Sequence, residues 1–218
     1  FVQNALTYVV TPLAIAGMLA ASAQALFQAD ARRLLAYSSV AQVGYMLLGL
    51  GIATAAGVTA GALHLVNHAL MKGALFMALG AFFYAYGVRR IDDLKGLGQA
   101  LPGVGAAFTI GALSLIGVPF TAGFISKFYL IQAALQNGWW WAVAAILVSS
   151  VLAVFYTYRM LVALWVNPAP SPDHRPEGRV RRVPILILAP LWVFALANLY
   201  FGVNSQFMVD LARTAAEA

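Results

Sequence analysis

Four side chains in this sequence are suited to moving protons. His64, His68 and Lys72 follow one another at i, i+4 and i+8. On an α-helix this spacing turns through only about 80°, so the three share one face. Imidazole titrates at about pH 6.5 and passes protons readily. Asn67 lies beside the stripe, and Lys127 follows later, after Gly123-Phe124-Ile125-Ser126. Three plainer assignments compete with a relay. A buried histidine is commonly a satisfied core residue. Two histidines at i, i+4 could bind zinc, but no Glu or Cys lies close enough in sequence to complete a site, so no metal is assigned. The stripe could also be polar glue between helices. Three ionisable groups on one face of a single apolar segment favour the relay. Ser38, Gln42 and Tyr45, at i, i+4 and i+7, offer a second polar face that could line it.

The elements that must hold these groups are apolar. Hydrophobic residues make up 62% of the 218 and charged residues 9%, and mean hydropathy is +0.83. A soluble domain of this size carries about 25% charge, so the composition indicates an all-α membrane protein. With no cysteine, disulfides, thiolate metal sites and thiol chemistry are excluded. Phe1 to Leu6 carries neither a basic stretch nor a cleavage site, so no signal peptide is read there. The chain opens without Met, and residue 1 is expected not to be the start of the native protein. A spanning helix takes about 20 apolar residues, which predicts six transmembrane segments in a single domain over 1–218: 5–28, 34–54, 59–87, 103–136, 139–166 and 183–204.

The segment 103–136 is too long for one straight crossing and too short for two. Ile116-Gly117-Val118-Pro119-Phe120-Thr121-Ala122-Gly123 interrupts it. Proline removes a backbone donor and clashes with the preceding turn, and glycine has low helix propensity. A broken helix near 117–123 is therefore expected, with a simple proline kink as the alternative. Irregular backbone at membrane depth is tolerated inside protein or beside a watery cavity, and broken helices mark ion paths in transporters.

Loop charges predict the orientation. On one side, loops 29–33, 88–102 and 167–182 hold nine basic residues: Arg32, Arg33, Arg89, Arg90, Lys95, Arg175, Arg179, Arg181 and Arg182. The other side holds Arg213 alone. By the positive-inside rule the first side is cytoplasmic, and the chain lies in the cell (inner) membrane. The overall excess of 13 basic over 7 acidic residues thus reflects orientation rather than nucleic-acid binding. Arg159, near the cytoplasmic end of its segment, is expected to snorkel to the interface. Lys72 and Lys127 lie deeper. A lysine at the membrane centre costs about 2.5–3.5 kcal/mol on an insertion scale. Every acid (Asp30, Asp92, Asp93, Asp173, Glu177, Asp210 and Glu217) falls in a loop or terminus. Either the lysines spend time uncharged, or their acidic partners belong to a missing segment or another chain. No redox, nucleotide or quinone motif appears, so no cofactor is assigned and electron transfer would belong to other subunits.

Two runs carry a family resemblance. Asp30-Ala31-Arg32-Arg33-Leu34-Leu35-Ala36-Tyr37-Ser38-Ser39-Val40-Ala41-Gln42-Val43-Gly44-Tyr45 and His64-Leu65-Val66-Asn67-His68-Ala69-Leu70-Met71-Lys72-Gly73-Ala74-Leu75-Phe76 resemble signatures of the antiporter-like proton-conducting membrane subunits. Pro119 to Lys127 is similar to the break in that family's discontinuous helix. The family includes pumping subunits of respiratory complex I, large subunits of Mrp-type sodium/proton antiporters and subunits of membrane-bound hydrogenases. The resemblance implies that Lys72 is the central lysine of the second half-channel, that His64 and His68 lead to it, and that Lys127 is the terminal residue on the broken helix. It places Arg32 near the cytoplasmic mouth. It also implies that these six segments are the last six of a fourteen-helix fold built from two inverted repeats. The first repeat, with its glutamate–lysine pair, is absent from this sequence, so that repeat or other membrane subunits of a complex are the expected partners. Within the family an Mrp-type D subunit is favoured, from Lys127 and an end soon after the last segment. A complex I or hydrogenase subunit is the alternative, and a non-conducting structural subunit a further one.

Overall fold

The computed structural model describes residues 6–168 and 182–217. Most of the proline-rich 167–182 loop, with Arg175, Arg179 and Arg181, lies outside the described residues. A π-helical turn, Leu6–Val10, leads into α1, Thr11–Leu26. Then come α2, Ala31–Gly51, and α3, Ala55–Tyr86. A 3-10 turn, Ile91–Leu94, and the short α4, Leu97–Ala100, precede α5, Pro102–Ile116. The described chain ends with α6, Ala122–Gln136, α7, Trp140–Trp165, α8, Ile185–Val203, and α9, Gln206–Glu217.

This is a helical membrane protein. Among the described residues, five helices are long and apolar enough to cross a bilayer: α1 with its preceding turn, α2, α3, α7 and α8. Helices α5 and α6, of 15 residues each, reach only about 22 Å apiece, short of the roughly 30 Å hydrocarbon core. They follow one another along α3, whose 32 residues make it the longest described element. Helix α3 is the spine of the bundle and packs against α2, α5, α6, α8 and α9. Small residues let it approach closely. A Cβ at Gly49 of α2 would sit 2.7 Å from the Gly57 carbonyl oxygen and the Gly61 Cα of α3, as expected where packing rather than hydrophobic sorting joins helices in lipid.

Helix starts follow local chemistry. Asp30 caps α2 by accepting from the backbone N–H groups of Arg32 (2.8 Å) and Arg33 (3.0 Å). Thr54 caps α3 by accepting from Gly57 N–H at 3.2 Å. The expected boundaries at 54 and 59 therefore contract to a tight turn over 52–54. Gly57 lies inside α3 as a packing residue, where a Cβ would sit 2.6 Å from Gly49 O. Two elements were not expected. The 88–102 loop contains the 3-10 turn and α4. The chain end forms α9, which seats Val209 and Ala212 beside Leu63.

The helix ends gather at two poles. At the basic pole the backbone of Asp30 bridges that of Arg90, with Ala31 N–H donating to Arg89 O (3.0 Å) and Ile91 N–H to Ala29 O (2.9 Å). There too Gly96 N–H donates to Ala163 O at 3.0 Å, and Arg159 donates to Leu26 O. Arg159 thus reaches the pole, as snorkelling requires. At the far pole Thr7 donates to Gly51 O at 3.2 Å. Arg213 lines a cleft of about 280 Å³ there with Thr59, Tyr129 and Gln136.

Candidate proton-path site

The break between α5 and α6 sets the geometry. Gly117 ends α5 in the left-handed region at φ +92°, where a side chain would be strained. Gly117 N–H and Val118 N–H both return to Leu113 O, at 3.0 and 3.1 Å. Pro119 is exposed within the turn, and Phe120 follows at φ +68°. Helix α6 then starts hard against α5: a Cβ at Gly123 would overlap the Ser114 carbonyl oxygen. Gly123 N–H donates to Ser114 Oγ at 3.1 Å. The last carbonyls of α5 have no helical donors of their own and carry the negative end of the helix dipole. Lys127 occupies that end. Its Nζ donates to Ile116 O at 2.9 Å, Leu115 O at 3.1 Å and Ser150 Oγ at 3.2 Å.

Lys72 is held in a similar way. Its Nζ donates to Ser38 Oγ at 2.5 Å and Leu35 O at 2.8 Å, and Ser38 Oγ donates in turn to Leu35 O at 2.9 Å. Both lysines are nearly enclosed, at 6% and 5% exposure. Backbone carbonyls and hydroxyls surround them where a search by residue type looks for a carboxylate.

Between them His64 is wholly buried. Its Nδ1 lies 2.8 Å from Ser126 Oγ and its Nε2 2.9 Å from Gln42 Oε1. Ser126 Oγ also lies 3.3 Å from Gly123 O. Two protonation states fit this cage without moving a heavy atom. A neutral ring donates from Nε2 to Gln42 and accepts at Nδ1 from Ser126. A protonated ring donates from both nitrogens, and the Ser126 hydroxyl rotates to donate to Gly123 O.

Tyr45 stands beside both His64 and Lys127. Its ring lies 5.2 Å from that of His64, centroid to centroid, and Lys127 Nζ lies 5.1 Å from the same ring. Its hydroxyl donates to Ile146 O at 3.2 Å and sits 3.2 Å from Ser150 Oγ. Asn67 Nδ2 donates to Ala122 O at 2.6 Å, tying α3 to the first residue of α6.

Lys72, His64, Lys127, Ser38, Gln42, Tyr45, Asn67 and Ser126 thus form one buried polar seam. His68 is half-buried beside it, with no hydrogen-bond partner at Nε2. Arg32 is exposed at the start of α2, 3.7 Å from Asp30 Oδ2. Residue-type reasoning missed the part supplied by α7. Ser149 and Tyr156, and likewise Ser150 and Thr157, repeat at i, i+7, a spacing that keeps polar groups on one helix face.

Comparison with known proteins identifies the family. Residues 1–153 match the family model described as "NADH:quinone oxidoreductase/Mrp antiporter, TM". Over 206 residues the chain is 38% identical to the NADH-quinone oxidoreductase subunit N of Desulforudis audaxviator, covering 91% of this chain and 41% of that protein. In the Mrp complex from Dietzia sp. DQ12-45-1b, one chain is similar with TM-score 0.89 and 30% identity, over 98% of this chain and 47% of that one. A chain of the membrane-bound sulfane sulfur reductase, an archaeal respiratory membrane complex, follows at TM-score 0.85 and 32% identity, over 98% and 42%. The chain therefore spans less than half the length of these relatives. With most of its sequence matched and an antiporter-like fold, it belongs to the NADH:quinone oxidoreductase/Mrp antiporter family of membrane subunits.

Proposed function

We propose that this chain carries half of a proton path through a membrane, with Lys72, His64, His68 and Lys127 as its exchanging groups. The observation that supports this most directly is the pair of enclosed lysines, 2.5–3.2 Å from hydroxyl and carbonyl oxygens, with a doubly caged imidazole between them. Each lysine sits among neutral acceptors, so gaining or losing a proton strands no fixed carboxylate. Helices α5 and α6 together make one crossing, which gives six in all. The basic pole faces the cytoplasm, with Arg32 at the mouth. Gly117, Pro119 and Gly123 keep the break open to the path. The six crossings form the second of two inverted repeats, and the first repeat belongs to the rest of the subunit or its equivalent.

Within the family we assign the chain to an Mrp-type cation/proton antiporter, supported by the fold likeness to a chain of the Dietzia complex at TM-score 0.89. A second reading, a pumping subunit of a respiratory complex, is supported by the 38% identity to a subunit N. Sodium-dependent proton exchange without an electron donor distinguishes the first from the second. A purely structural subunit would be served as well by leucine or methionine at both lysine positions. The test uses the complete subunit in its assembled complex in membrane vesicles. Lys72→Ala and Lys127→Ala are each expected to abolish proton-coupled transport while assembly survives. Normal transport in both variants overturns the proposal.

A further inference from the structure

The cleft of about 280 Å³ at the far pole has no part in the proton path. Arg213 of α9 lines it, and its guanidinium has no ion pair among the described residues. Asp210, three residues earlier, is held instead by Gln206 Nε2 at 3.0 and 3.2 Å. The first turn of α3, Ala55 and Ala56, forms another wall. Thr54 accepts the Gly57 N–H. The N–H groups of Ala55 and Ala56 have no helical acceptor and lie at the positive end of a 32-residue helix. Thr59, only 6% exposed, lines the cleft without a hydrogen-bond partner among the described residues. Gln132 and Gln136 of α6 add side-chain amides. A cation, a helix start, a hydroxyl and two amides thus meet around one space with no carboxylate among its lining residues. This is a setting for an anion.

Depth and shape select the anion. Trp140 and Trp141, just past the end of α6, are 71% and 53% exposed. Exposed tryptophans of a membrane protein gather at the level of the lipid headgroups, which sets the α6 end near Gln136 at that level. The cleft is at the small end of ligand sites, about 300–1,000 Å³, enough for a headgroup but not for acyl chains. A place for a chain lies beside it. Phe124, Phe128, Gln132 and Gln136 recur every four residues, so they form one ridge along α6. Phe128 is 52% exposed and stacks on Phe124 with ring centroids 6.1 Å apart. The two rings lie about 12 and 18 Å from Gln136 along the helix, towards the break. The ridge passes from amides at the cleft to bare rings at acyl depth. We propose that this cleft binds the phosphate of a membrane phospholipid through Arg213 and the start of α3, with an acyl chain along Phe128 and Phe124. The site is separate from the proton path and stands whether or not Lys72 and Lys127 carry protons.

The test uses the complete subunit in its assembled complex, reconstituted in phosphatidylcholine vesicles. The probe is phosphatidylglycerol carrying a photoreactive diazirine on one acyl chain. After illumination and digestion, label is read by mass spectrometry on the α6 peptide that holds Phe124 and Phe128. The unsubstituted protein is expected to be labelled there. Arg213→Gln, an exposed change that the fold should tolerate, is expected to lower labelling at least about tenfold, the loss of a charge-assisted hydrogen bond. Arg213→Lys keeps the charge and is expected to retain most of it. Diacylglycerol with the same diazirine chain has no phosphate and should label as weakly as phosphatidylglycerol does in Arg213→Gln. Excess inorganic phosphate should not compete. The proposal is overturned if Arg213→Gln labels as well as the unsubstituted protein, or if diacylglycerol labels as well as phosphatidylglycerol. Competition by inorganic phosphate overturns it in favour of a free-anion site. Absence of label from α6 in the unsubstituted protein overturns it as well, and means that another part of the assembly fills the cleft.

Discussion

His64 is the residue whose surroundings say most about its role. An imidazole with both nitrogens engaged, at 2.8 Å by Ser126 and 2.9 Å by Gln42, is fixed in orientation. The Ser126 hydroxyl has a second acceptor in Gly123 O, so one rotation serves either protonation state. Ser126→Ala leaves Nδ1 buried without a partner. It is expected to cost about 1–3 kcal/mol, seen as a lower melting temperature of the complex, while Ser126→Thr keeps the hydroxyl and most of the stability. No loss in Ser126→Ala would mean that the serine does not hold the ring. The ionisable residues themselves were legible from type and spacing, because lysine and histidine in an apolar run are conspicuous. Their partners were not. Lys127 is held by the carbonyls of Leu115 and Ile116, and a carbonyl freed by a helix end has no letter of its own. Side-chain acceptors can be counted in a sequence, whereas backbone acceptors such as Leu35 O and Ile116 O cannot. Ser150 and Tyr156 were passed over because neither carries a charge and both lie within the apolar run of α7.

At the scale of the element, cap and break chemistry decide where helices stop. Slight burial acts to raise the Asp30 carboxyl, but donation from the Arg33 and Arg32 backbone and the two guanidinium charges outweigh it and hold the carboxyl below its usual 3.8. A carboxyl depressed in the folded state stabilises that state above its unfolded value, and the contribution is lost as pH falls through the lower folded value. Asp30→Ala is therefore expected to cost about 1 kcal/mol near neutral pH. The melting difference from the unsubstituted protein should shrink as pH drops below 3.8. A difference that stays constant into acid would show that the cap is not electrostatic. The break was legible because proline between glycines has few other structural meanings in an apolar run. Its exact reach was not, since the close approach of Gly123 to Ser114 depends on how α6 lies on α5. The amphipathic α9 was not read because it is short and carries Asp210 and Arg213 among its apolar positions, although Val209 and Ala212 stand at i, i+3 and seat beside Leu63.

At the scale of the molecule, the charge asymmetry predicts an orientation that labelling can check. The chain has no cysteine, so a single introduced thiol has no background within it. A membrane-impermeant maleimide is expected to label Asp92→Cys from the cytoplasmic side and Asn137→Cys from the opposite side. Labelling of both from one face would overturn the six-crossing topology. Helix number was less legible than composition, because length and hydropathy mark five helices as able to span and leave α5 and α6 as two short pieces. The backbone bridge between Asp30 and Arg90 has a mechanical consequence. Together with Gly96 on Ala163 and Arg159 on Leu26, it rivets the ends of α1, α2, α3 and α7 at one pole. At the far pole the ties are fewer, Thr7 on Gly51 O and α9 on Leu63, so breathing of this bundle is expected to be larger towards the Arg213 cleft than beside Arg32. On the proton path proposed above, wetting of the seam from the far pole is then the step that such motion would control.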